Sequence, residues 1–106
     1  MFHLVNAYRV LLERGPEASL GGLWAYESQG AKIADSKAQG LLTHFDADVE
    51  TVEFWSVHGS REGDHAEWTM EALVQLEPDA HDVTDATRLI GEAWWSFLDE
   101  REALAA

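Results

Sequence analysis

Apolar residues recur every three or four positions along nearly the whole chain and nowhere alternate over a useful length, so helices are the only regular structure the pattern supports. Leu4, Val5, Tyr8, Leu11 and Leu12 form the stripe of a first amphipathic helix. Gly15-Pro16 ends it and opens a second, with Glu17 in its first turn. The second helix carries Leu20, Leu23, Trp24, Glu27, Ala31, Ala34 and Ala38 on one stripe. Gly40 is its first stop signal, although Leu41, Leu42 and Phe45 can extend it. Asp46-Ala47-Asp48 supplies a turn and an N-cap for a third helix from Val49 to Leu76, closed by Pro78-Asp79. Gly59 and Gly63 lie inside that helix at roughly 1 kcal/mol each against alanine, and close helix packing is the compensation they offer. Asp82 to Thr84 offers a cap for a fourth helix with Ile90, Ala93, Trp94, Phe97 and Leu98 on its stripe. With no repeat, linker or low-complexity segment, the expectation is one all-α domain over residues 1–106, an antiparallel helical bundle.

Composition narrows what such a domain can do. Seven basic against 20 acidic residues give a formal net charge of −13, which excludes a nucleic-acid binder and disfavours an anionic membrane surface. The chain is 46% apolar, too much for a disordered acidic tail. Without cysteine there are no disulfides, thiolate nucleophiles, iron–sulfur clusters or cysteine-type zinc sites. The N-terminal residues lack the pattern of a signal peptide, and no apolar run approaches ~18 residues, so a cytoplasmic protein is expected.

One stretch of the third helix carries chemistry. At 100° per residue, His58, Glu62 and His65 fall within a ~60° arc. Glu27 sits among Leu23, Trp24, Ala31 and Ala34, so its carboxylate needs a cation, a proton or a metal if that face is buried. Imidazole and carboxylate together suit iron, manganese and zinc. Glu62-x-x-His65 is the pair that di-iron bundles take from each of two helices, and Glu27 matches the single glutamate given by another, so one copy holds half of such a set. The competing reading is a solvated polar face, with Glu27 rotated to the rim of its helix. His3, His44 and His81 read as surface residues, His3 being the one able to complete a site. Lys37 reads by position as a lysine extended along the helix surface. The five tryptophans are core or interface material, Trp24 and Trp55 also being able to wall a site. The adjacent Trp94 and Trp95 cannot point the same way, so one of them is exposed or covered by a partner.

Leu23-Trp24-Ala25-Tyr26-Glu27-Ser28-Gln29, followed by Ile33-Ala34, Lys37 and Gly40-Leu41, resembles a segment of the heme-oxygenase-like diiron oxidases and oxygenases. Phe54-Trp55-Ser56-Val57-His58-x3-Glu62-x2-His65 is similar to that family's later metal helix, and the two segments have a similar separation. The resemblance covers nearly the whole chain and implies that Glu27, His58, Glu62 and His65 are iron ligands. It implies a catalytic role for Lys37, or one beside the metal, because a lysine recurs there in the branch related to p-aminobenzoate formation. Members are longer, and this chain corresponds to their C-terminal half; Glu62 stands where aspartate is usual. The resemblance thus implies half of a heme-oxygenase-like fold. A homodimer or a partner chain supplies the missing ligands of a diiron centre, unless the chain is a degenerate remnant. Symmetric pairing is the commonest way to cover a ligand-bearing apolar face.

Two functions follow as expectations. The first is a non-heme iron oxidoreductase that binds Fe2+ and activates dioxygen to oxidise a small organic substrate, with manganese or zinc as other metals. The alternative is a non-catalytic acidic interaction protein or partner subunit whose metal residues are vestigial or structural. A zinc-dependent hydrolase is a weaker third reading, because no separate general base or oxyanion site is marked.

Overall fold

The computed structural model describes residues 2–105. They form four helices and no strand: α1 (Phe2–Glu13), α2 (Pro16–His44), α3 (Glu53–Gln75) and α4 (Ala80–Ala105). The helices make two compact units, one running through Tyr26 and resuming at Thr69, the other spanning Glu27–Trp68, so α2 and α3 contribute to both. No helix among the described residues is long and apolar enough to cross a membrane.

Each boundary has a local cause. Gly15 takes φ 101°, a left-handed conformation that glycine adopts without steric penalty, and this lets the chain reverse between α1 and Pro16. At the end of α2, Ala47 N–H reaches back six residues to the Leu41 carbonyl at 3.2 Å, while Asp46 takes φ 53°. The left-handed Asp46 thus ends α2, and the Leu41 carbonyl, which also accepts the Phe45 N–H at 3.2 Å, closes a turn that carries the helix past Gly40. Asp48 then caps the turn leading into α3, its Oδ1 accepting the Thr51 N–H at 2.7 Å, so α3 itself begins at Glu53 rather than at Val49. That bond holds the Asp48 carboxyl below its ordinary range. Asp79, rather than Asp82 to Thr84, caps α4: its Oδ1 accepts from His81 N–H at 2.8 Å and from Asp82 N–H at 3.4 Å. Pro78 fixes the residue before the cap, so the helix begins as soon as a side-chain acceptor is available.

In the first unit, α1 packs on α4 around Leu11 and Ile90, both fully buried, with Ala7, Ala18, Ala25 and Ala86. The buried stripe of α1 is narrower than its sequence suggests, since Val5 and Leu12 are exposed. Helix α2 is rotated from the expected stripe. Its small residues Ala18, Gly21, Gly22 and Ala25 face inward, and Leu23 is exposed. A methyl at Gly22 would collide with Leu11 Cδ2 and lie 3.0 Å from Ile90 Cγ1, so the approach requires glycine there. Trp94 packs on this core, stacks on Tyr26 at 4.9 Å between centroids, and donates its indole N–H to the Tyr8 hydroxyl at 2.9 Å. Its neighbour Trp95 is 69% exposed, which resolves the tryptophan pair as its spacing requires.

In the second unit Ala34, Ala38 and Val52 are buried, and so is one charged residue, Glu62. A methyl at Gly59 would collide with the Asp35 carboxylate of α2, whereas Gly63 faces open space. Only the first of these glycines therefore serves helix approach.

Candidate metal centre

Helices α2 and α3 bring Glu27, Glu62 and His65 together within the second unit. One donor atom from each, two carboxylate oxygens and an imidazole nitrogen, lie within 4.8 Å of one another. His65 Nδ1 is 3.5 Å from Glu62 Oε2 and 4.0 Å from Glu27 Oε2. Glu62 and His65 are one helical turn apart on α3, and Glu27 faces them from α2. Burial is graded, the side chains of Glu62, Glu27 and His65 being 11%, 28% and 41% exposed.

The electrostatics of the two carboxyls are opposed. Burial pushes the Glu27 carboxyl up to about 7, the neighbouring Glu62 adds to the rise, and His65 opposes it. Glu62 is held below the usual carboxylate range, first by a hydrogen bond from Glu27 and then by His65 and His58, against its own burial. The pair therefore shares a proton below neutrality, with Glu27 donating to Glu62. With both groups ionised that donor is gone, and Glu27 Oε2 and Glu62 Oε2 are buried oxygens without a hydrogen-bond partner. Two such oxygens facing an imidazole suit a cation, because a metal satisfies both lone pairs and offsets both charges.

His58 lies outside this set. Its Nδ1–H donates to the Phe54 carbonyl one turn back at 2.7 Å, which leaves Nε2 as the lone-pair nitrogen of the neutral ring. The ring also packs on Phe54, 4.1 Å between centroids. The imidazolium form of His58 is the last of the groups that lower the Glu62 carboxyl. Lys37 is also outside the set, its Nζ 4.3 Å from the centroid of the Trp55 ring. Trp55 lines a cleft with Lys37, while Trp24 lines a different one, in the first unit, with Met70 and Leu73. His3, His44 and His81 are exposed, and His81 pairs with Asp85 at 3.6 Å.

Gly30 belongs to the site although its own chemistry is silent. A Cβ at this position of α2 would lie 3.1 Å from Glu62 Oε2 and 3.5 Å from Glu62 Cβ, so its absence makes the space that Glu62 fills. The sequence signal, visible in retrospect, is a glycine inside a helix one turn after a glutamate on the inward face.

No protein-family model, curated protein or solved structure matches the chain.

Proposed function

We propose that this chain is a small non-heme iron protein whose Glu27, Glu62 and His65 hold the metal, with His58 as the next ligand. The observation that carries the reading is the pair of buried carboxylate oxygens, Glu27 Oε2 and Glu62 Oε2, without hydrogen-bond donors and facing the His65 imidazole. Iron in a histidine and carboxylate set with open positions supplies dioxygen activation and oxidation of a small organic molecule, the oxidoreductase activity that the heme-oxygenase-like resemblance implies. The chain's own residues have separate tasks. Glu62 is the sheltered donor, 8% exposed as a residue, and excludes water from its side of the site. Glu27 must release its proton for metal to bind. The Nδ1–H bond of His58 to the Phe54 carbonyl is the kind of contact that orients a metal-binding imidazole through its other nitrogen.

Three donors leave a coordination sphere incomplete. In this reading a second copy, forming a homodimer, contributes its own Glu27 and Glu62-x-x-His65 and completes both a diiron centre and the half fold. Manganese and zinc fit the same donors and are arms of the test. Metal-free protein titrated anaerobically with Fe2+ should melt at a higher temperature, and chelator should reverse the rise. Glu27→Ala and His65→Ala should abolish it. A wild-type melting curve indifferent to Fe2+, Mn2+, Zn2+ and chelator overturns the proposal.

One observation favours a second reading, an acidic interaction protein without catalysis. Trp95, Leu98 and Leu104 of α4 are exposed, apolar area that a partner would cover. That reading gains if the melts ignore metal.

A further inference from the structure

We propose that a cleft separate from the metal-binding residues, between the C-terminal part of α2 and the first turn of α3, binds a small aromatic carboxylate. Lys37, Gly40, Leu41, Phe45 and Trp55 line it, around a volume of about 380 Å³. That lies at the lower end of the ~300–1,000 Å³ of ligand pockets, room for a fused ring with a short substituent rather than a large cofactor.

Three features set the ligand class. The first is charge. Lys37 is one of 7 basic residues among 20 acidic ones, yet no ion pair among the described residues engages it. Its ammonium lies instead 4.3 Å from the centroid of the Trp55 ring, a cation–π contact that places a positive charge on the cleft wall. An ammonium has three donors, and a carboxylate entering the cleft can accept from those turned away from the ring. The second feature is the lining: apart from Lys37 it is an indole, a phenyl ring, a leucine and a glycine, which suit a flat apolar body. The third is room. A Cβ at Gly40 would meet nothing within 4 Å, and Phe45 is 74% exposed, so its ring is available to close over an occupant.

The cleft contains none of the proposed metal ligands and lies far from Glu27, although its Trp55 is one helical turn before His58. Lys37 is ten residues beyond Glu27 on α2, about 15 Å along the helix axis at 1.5 Å per residue. Binding should therefore persist when metal is removed, and failure of the iron reading leaves this one standing.

The test is an NMR titration of the isotope-labelled, metal-free full chain with 2-naphthoate, following the Trp55 indole N–H and the Lys37 side chain. Saturable shifts are expected at both, with affinity unchanged by chelator. The neutral isostere 2-naphthamide should bind about tenfold or more weakly, the loss expected for one charge-assisted contact. Lys37→Met should lower naphthoate affinity by a similar factor and Lys37→Arg should retain most of it. Lys37 is exposed, so neither substitution disturbs the core. The amide comparison uses wild-type protein and stands even if a variant fails. Equal binding of amide and carboxylate overturns the proposal, as does naphthoate affinity unaffected by Lys37→Met. It is also overturned by shifts centred on Trp24 instead of Trp55, or by no saturation. Decanoate binding as tightly as 2-naphthoate overturns the aromatic assignment.

Discussion

At Glu27 a carboxyl pushed up to about 7 sits beside Glu62, whose carboxyl is held low, and this opposition makes the site sensitive to pH. A raised carboxyl contributes stability that is fully present below the unfolded value of 4.5 and is lost as pH rises through about 7. Glu62 works in the other sense, contributing above 4.5 and losing its contribution as pH falls through its lowered value. Glu27→Gln keeps a hydrogen-bond donor toward Glu62 at every pH. Metal-free wild type should therefore lose melting temperature relative to Glu27→Gln between pH 5 and 8, and parallel curves would contradict the shared proton. Metal should bind more tightly as pH rises across the same window, with proton release visible by calorimetry in buffers of different ionisation enthalpy. The spacing of Glu27, Glu62 and His65 was legible in the sequence because helical periodicity projects side chains onto faces. It does not fix rotamers, so it could not show that the His58 Nδ1 bonds to the Phe54 carbonyl. Nor could it show Gly30, which contributes by having no side chain beside Glu62.

Helices α1 to α4 were legible as elements, while their faces and ends were less so. The inward face of α2 in the first unit is made of Ala18, Gly21, Gly22 and Ala25, because close approach favours small residues over the larger Leu23. A stripe chosen by hydrophobicity misses this. Gly22→Ala should destabilise the fold despite alanine's better helix propensity, since its methyl meets Leu11 and Ile90. Gly91→Ala, in α4 with nothing within 4 Å of its added methyl, should instead stabilise by about 0.5–1 kcal/mol. Denaturant unfolding of both variants checks the contrast, and equal signs would contradict this packing. At the start of α4, Asp82 and Thr84 also look like caps in the sequence, whereas Asp79, three residues before Asp82, makes the bonds. Asp79→Ala should cost about 1 kcal/mol of unfolding free energy, and Asp79→Asn much less, because asparagine keeps the acceptor.

For the molecule as a whole, the net charge of −13 includes the two clustered carboxyls of Glu27 and Glu62, so a bound cation would offset both local and global repulsion. The proposed pairing predicts light scattering at twice the 11.8 kDa chain mass when iron is present. A single-chain mass with saturated iron would remove the shared diiron centre while leaving a mononuclear site. The all-helical class was legible because a period near 3.6 runs through the sequence and no strand pattern competes. What would complete the proposed ligand set was not legible, since half of such a set fits a partner copy or another subunit equally well. The most direct test of the metal assignment is anomalous diffraction at the iron edge from crystals grown with Fe2+ under anaerobic conditions. An iron peak is expected about 2.0–2.3 Å from Glu27 and Glu62 carboxylate oxygens and a His65 imidazole nitrogen. A peak elsewhere, or none while Glu27, Glu62 and His65 stay clustered as they are here, would contradict that assignment.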